Sequence, residues 1–147
     1  MERHVKNLKE LQELAAQWVR RLLPFTDRAT VVGLTGELGA GKTSFVQGVA
    51  KALGITDHVT SPTFVLMKKY VVPSSGLLTT NYSLLTHIDA YRLDSGKDLK
   101  PFRFDELLAD PSNLIMIEWQ ERVRESLPQD IIEIKLEVEG AGRRVRW

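Results

Sequence analysis

Residues Gly36-Glu37-Leu38-Gly39-Ala40-Gly41-Lys42-Thr43 match G-x-x-x-x-G-K-[ST] in full, and they stand between two runs of different period. Before them, Ala29-Thr30-Val31-Val32-Gly33-Leu34-Thr35 reads as a short buried strand rich in β-branched residues. After them, Lys42 to about Leu53 reads as a helix ended by Gly54. A strand, a glycine-rich loop and a helix in that order form an anion cradle. Its glycines adopt backbone conformations closed to other residues, so successive N–H groups can turn inward. The helix adds the positive end of its dipole. In such a loop Lys42 reaches the β- and γ-phosphates, Thr43 ligates Mg²⁺ and Ser44 can bond the α-phosphate. The expected binding set is therefore Glu37, Leu38, Gly39, Ala40, Gly41, Lys42, Thr43 and Ser44.

Around this unit the chain alternates strand and helix signals. Leu8, Leu11, Leu14, Ala15, Trp18, Val19 and Leu22 recur at three- and four-residue steps, predicting an amphipathic helix over 7–23 with Asn7 as N-cap and Pro24 beyond. Strands are expected over 63–72, 83–91 and 114–117, and a helical turn or two over 104–109. Pro73-Ser74-Ser75-Gly76 marks a turn, followed by an exposed loop to about Asn81. Residues 118–127 read as helix or turn. Ile131–Glu139 and Arg143–Trp147 flank Gly140-Ala141-Gly142, a hairpin signal. The pattern predicts one α/β domain over 1–147: three layers, a largely parallel sheet and a C-terminal hairpin.

A phosphate loop needs acids at neighbouring strand ends to hold Mg²⁺ or position water. Asp89 follows Leu84–Ile88 and Glu118 follows Leu114–Ile117, each at the edge where α/β sheets bind ligands. Sequence pattern leaves open which of them touches the metal. His87 beside Asp89 reads more readily as packing or hydrogen bonding than as catalysis. Arg92 suits a phosphate, a partner or a surface ion pair.

Composition narrows the chemistry. The 147 residues carry 20 Lys and Arg against 19 Asp and Glu, a net charge of +1, so no overall basic footprint for direct nucleic-acid binding exists. No cysteine is present, which excludes disulfides, thiolate metal sites and cysteine nucleophiles. No apolar run approaches a membrane span, and Glu2, Glu10 and Glu13 argue against a transit peptide, so the cytoplasm is the expected location. Neither Asn-Lys-x-Asp nor Thr-Lys-x-Asp occurs, and Asp89-Ala90-Tyr91-Arg92 stands where a GTPase tends to carry Asp-x-x-Gly. An ATPase is expected ahead of a small-molecule kinase, for which no clear lid segment exists. A third reading is a non-hydrolytic binding module switched by ATP.

Taken in order, G-E-L-G-A-G-K-T at 36–43, Ser61-Pro62-Thr63-Phe64, His87-Ile88-Asp89-Ala90-Tyr91-Arg92-Leu93 and Ile117-Glu118-Trp119 closely resemble the TsaE (YjeE) family of small P-loop ATPases. The resemblance runs from the first helix to the final hairpin. It implies a role in making threonylcarbamoyl-adenosine at position 37 of tRNA, with ATP or ADP and Mg²⁺ as bound cofactors. It also implies TsaD- and TsaB-like partners, tRNA met indirectly through them, and no membrane. By motif position, Lys42 binds phosphate, Thr43 and Glu118 hold Mg²⁺, Asp89 is the Walker-B-like acid near the metal, and Thr63 lies on a switch-like loop facing the γ-phosphate. The resemblance puts the base near Asn7–Leu8 and Gly140–Arg143. It also makes the loop from Val72 to Tyr82 longer than the family's usual tight hairpin. No arginine finger is evident in the chain, which predicts slow hydrolysis without partners.

Overall fold

Residues 1–74 and 81–147 are described by a computed structural model. Seven strands form one sheet: β1 (Glu2–Val5), β2 (Thr30–Thr35), β3 (Met67–Val71), β4 (Leu84–Asp89), β5 (Asn113–Glu118), β6 (Ile132–Glu139) and β7 (Gly142–Arg146). Their order is β1-β7-β6-β2-β5-β4-β3. The four central strands, β6, β2, β5 and β4, run parallel, while β3, β7 and β1 pair antiparallel at the two sides. Helices α1 (Leu8–Val19) and α2 (Lys42–Ala52) cover one face. The other face carries two 3₁₀ segments, Gly96–Phe102 and Gln120–Ser126, with α3 (Phe104–Leu108). The expected three-layer α/β architecture and the C-terminal hairpin are both present.

The unbroken apolar character of β5 follows from that covering. All six of its residues are buried. Leu114 and Met116 belong to the core under α1 and α2, while Ile115 and Ile117 belong to the opposite core. Strands buried on both faces lose the polar alternation of a one-sided sheet. Asn7 caps α1 as expected, its Oδ1 accepting the Glu10 N–H at 2.9 Å.

Two elements are shorter than the sequence predicts by several residues, and one strand is additional. The strand expected from Thr63 begins only at Met67, because the Pro62 carbonyl accepts the Val65 and Leu66 N–H groups at 3.2 and 2.6 Å and closes a turn. The first helix stops at Val19, where Arg21 and Leu22 donate to Trp18 and Val19 three residues back and tighten the chain ahead of Pro24. Strand β1 was not expected; it exists through pairing with β7, in the register Glu2↔Arg146 to Val5↔Arg143. Ser75–Gly76 of the expected turn, and the loop on to residue 80, lie outside the described residues. Among the described residues no helix is long and apolar enough to cross a membrane.

The two long helices meet at Gly48. A Cβ there would sit 2.4 Å from the Gln12 carbonyl oxygen and 2.9 Å from the Ala15 Cβ. Gly48→Ala is therefore expected to destabilise the fold by about 1–3 kcal/mol through overpacking. Alanine's better helix propensity, about 1 kcal/mol, offsets part of that cost. Urea unfolding of both proteins checks this, and an unchanged midpoint would mean that α1 and α2 separate freely.

Candidate functional site

The parallel strands end on one edge, and register decides which side chains meet there. Asp89 on β4 pairs with Glu118 on β5, and Glu118 pairs in turn with Leu34 on β2. The loop leaving β2 thus turns beside both acids. Gly36, Gly39 and Gly41 hold φ values of 151°, 79° and 105°, which glycine adopts readily. Close approach fixes two of these positions as well. A Cβ on Gly36 would lie 2.5 Å from the Leu136 carbonyl oxygen of β6, and one on Gly41 2.5 Å from the Leu11 side chain of α1.

Lys42 opens α2 and curls back over this loop. Only 5 % exposed, it donates to the carbonyls of Gly36 at 2.5 Å and Glu37 at 2.9 Å. Its ammonium also lies 4.5 Å from the centre of the Trp119 ring. Burial pushes its pKa below the usual lysine value, and the carboxylates of Glu118 and Asp89 act in the opposite direction. A poorly hydrated cation among loop carbonyls is well prepared to take an anionic partner.

Thr43, next along, donates its hydroxyl to Glu118 Oε1 at 2.8 Å. That same oxygen meets His87 Nε2 at 2.9 Å. As the donor in this contact His87 carries a hydrogen on Nε2, while its Nδ1 is buried without a partner among the described residues. Asp89 works with a different loop. Its Oδ2 accepts the Thr63 hydroxyl at 2.9 Å and the Ser61 hydroxyl at 3.4 Å, and its Oδ1 accepts the Tyr91 N–H at 3.0 Å. Arg92 donates to the Thr63 carbonyl and stacks 5.0 Å from the Phe64 ring centre.

These groups line one open cleft of about 350 Å³. Leu38, Gly39, Gly41, Lys42, Thr43 and Ser44 line it from the phosphate loop and the start of α2, with Ser61 and Thr63 from the loop before β3, Asp89 and Glu118 from the strand ends, and Leu8, Tyr91 and Trp119 beside them. Glu37 and Ala40 do not line it. Glu37 instead gives its carbonyl to Lys42 and to the Ala40 N–H, while Ala40 is fully buried. Apart from Glu37 and Ala40, the binding-set and acidic residues singled out in the sequence converge on this cleft, with Glu118 on Thr43 and Asp89 on Thr63. The sequence reading passed over two contacts: His87 against Glu118, and Arg143 of β7, which donates to the carbonyls of Ala40 and Gly39 at 3.0 Å each.

A family model described as threonylcarbamoyl adenosine biosynthesis protein TsaE matches residues 5–145. The chain belongs to the TsaE family. A TsaE from Treponema pallidum, named as a tRNA threonylcarbamoyladenosine biosynthesis protein, is 41% identical over 132 residues, 88% of this chain and 88% of that protein. The Bacillus subtilis TsaE of the same name is 37% identical over 121 residues, 82% of this chain and 69% of its own length. The crystal structure of Bacillus subtilis YdiB superposes with a TM-score of 0.73 at 28% identity, covering 99% of this chain and 82% of that one. The cleft described above therefore sits in a TsaE fold, and its motif residues are those that carried the resemblance.

Proposed function

We propose that this protein binds ATP or ADP with Mg²⁺ in the cleft and hydrolyses ATP in support of tRNA threonylcarbamoyladenosine biosynthesis, together with TsaD- and TsaB-like partners. The observation that carries the reading is the Thr43–Glu118 pair, 2.8 Å apart, beside a buried lysine at the mouth of a left-handed glycine loop. A hydroxyl and a carboxylate so placed suit a hard divalent cation. Thr43 and Glu118 would hold such a cation, and P-loop sites commonly complete its coordination with substrate phosphates and water. A Mg²⁺ held there would supply positive charge to offset the charge that develops on phosphate oxygens.

The chain's own groups divide the remaining work. Lys42 exchanges its loop carbonyls for phosphate oxygens. His87 holds Glu118 by the shared oxygen and keeps it turned toward Thr43. Asp89 fixes the Thr63 hydroxyl and, with it, the loop 61–64 that Arg92 grips from behind. A water hydrogen-bonded to Asp89 at this edge would attack the γ-phosphorus and give its proton to Asp89, while the bond to the β–γ bridging oxygen breaks and ADP leaves.

Among the described residues no arginine lines the cleft. An arginine supplied by a partner is worth about 10³–10⁵ in turnover at related sites. Phosphate release from MgATP is expected to be low for the isolated protein and to rise sharply with TsaD- and TsaB-like partners and tRNA. An equal rate alone and in the mixture would remove partner activation from the proposal. Tight binding with no release in either case would favour an ATP-switched binding module, and transfer to an acceptor other than water would favour a kinase.

A further inference from the structure

Three arginines stand close together on β7, and one is used differently from the others. Arg144 and Arg146 spend their charge on glutamates: Arg144 on Glu139 and Glu137, Arg146 on Glu137 and Glu2. Register explains why Arg143 does not. Its neighbours across the ladder are Val138 on β6 and Val5 on β1, so no carboxylate stands opposite. The guanidinium leaves the hairpin and crosses to the phosphate loop, 103 residues away in the chain. Nε donates to the Ala40 carbonyl and Nη2 to the Gly39 carbonyl, each at 3.0 Å, while Nη1 donates to the Gly142 carbonyl at 2.8 Å. No ion pair to Arg143 exists among the described residues.

We infer that Arg143 is a positioning residue for phosphate binding, acting from the hairpin on the outer side of the loop. The inference rests in part on the ATP reading above. In a planar trans peptide the C=O and the following N–H point opposite ways. Holding the Ala40 carbonyl outward turns the Gly41 N–H inward, and Gly41 lines the cleft. A rigid planar fork that grips two successive carbonyls restrains this loop in a way one ammonium cannot. The guanidinium also leaves a positive charge, neutralised by no carboxylate, against a loop that binds anions. On this account Arg143 acts on the phosphate end of the nucleotide, not on its base.

The test compares wild type, Arg143→Gln and Arg143→Lys by calorimetry with MgATP and with magnesium tripolyphosphate, which has no base. Arg143→Gln is expected to weaken both ligands by the same factor, about tenfold or more for lost charge-assisted bonds. Loss for MgATP alone would make Arg143 a base contact and overturn the inference, as would no loss for either. Arg143→Lys keeps the charge without the fork, so its affinities should fall between the two; full recovery would reduce the effect to charge and overturn positioning. If wild type binds neither ligand, the ATP reading itself fails, and amide hydrogen exchange on the ligand-free proteins still decides the role of Arg143. Exchange over 37–41 should quicken by about tenfold in both variants while β5 stays protected, which also shows that they fold. Unchanged loop exchange would overturn the inference.

Discussion

Replacing Lys42 with alanine is expected to weaken MgATP binding by about 1.5–3 kcal/mol, roughly ten- to more than a hundredfold in Kd. The size of the effect follows from where the ammonium sits. At 5 % exposure it has exchanged most of its water for two loop carbonyls and the Trp119 face, and neither partner carries a full negative charge. Phosphate oxygens would be the stronger partner, so affinity should depend heavily on this group. The same burial predicts an opposite trend without ligand. A lysine whose pKa is lowered on folding costs stability while it stays charged. That cost is full below the lowered pKa and vanishes as pH rises past the unfolded value near 10.5. The ligand-free Lys42→Ala protein should therefore be no less stable than wild type at neutral pH, while its thermal shift with MgATP disappears. Calorimetric titration together with thermal unfolding measures both. An unchanged Kd would refute the assignment of Lys42 to phosphate.

The residues of the cleft differ in how plainly the sequence announces them, and distance along the chain explains most of the difference. The loop is local: its glycines, its lysine and the strand and helix on either side lie within some twenty residues, and each obeys a short-range rule. Asp89 and Glu118 are also readable, since an acid ending an apolar run marks the ligand edge of a parallel sheet wherever its neighbours lie. Which hydroxyl each acid meets is not readable from pattern alone. It depends on the β4–β5 register, which sets Asp89 level with Glu118, and on Thr43 projecting toward one of them. His87 reads locally as an ordinary strand histidine, and only that register brings its ring to the Glu118 oxygen. Strand β1 and the reach of Arg143 depend on partners more than a hundred residues away, so no window along the chain contains them. The turn at 62–66 misled for a different reason. Thr63 and Val65 favour a strand, but the Pro62 carbonyl captures two N–H groups and Leu66 takes a left-handed φ of 69°.

Glu118 is where register and chemistry coincide, and the second large effect is expected there. Glu118→Gln keeps the shape of the side chain and an oxygen able to accept from Thr43 or His87, so the fold and ATP affinity should change little. What it loses is the negative charge beside Thr43. ATP turnover in the partner-activated reaction should fall by about 10²–10³-fold, the cost typical of removing one preorganised electrostatic group. The Mg²⁺ concentration giving half-maximal rate should rise by at least about 10–100-fold, the loss typical of damage even one shell further out. Asp89→Asn supplies the contrast. Asp89 touches Thr63 and Ser61 and not Thr43, so its variant should lose turnover with the Mg²⁺ dependence unmoved. Titrating Mg²⁺ at saturating ATP separates the two variants. A shift in Asp89→Asn with none in Glu118→Gln would exchange their roles, making Asp89 the metal ligand and leaving Glu118 to act on Thr43 alone.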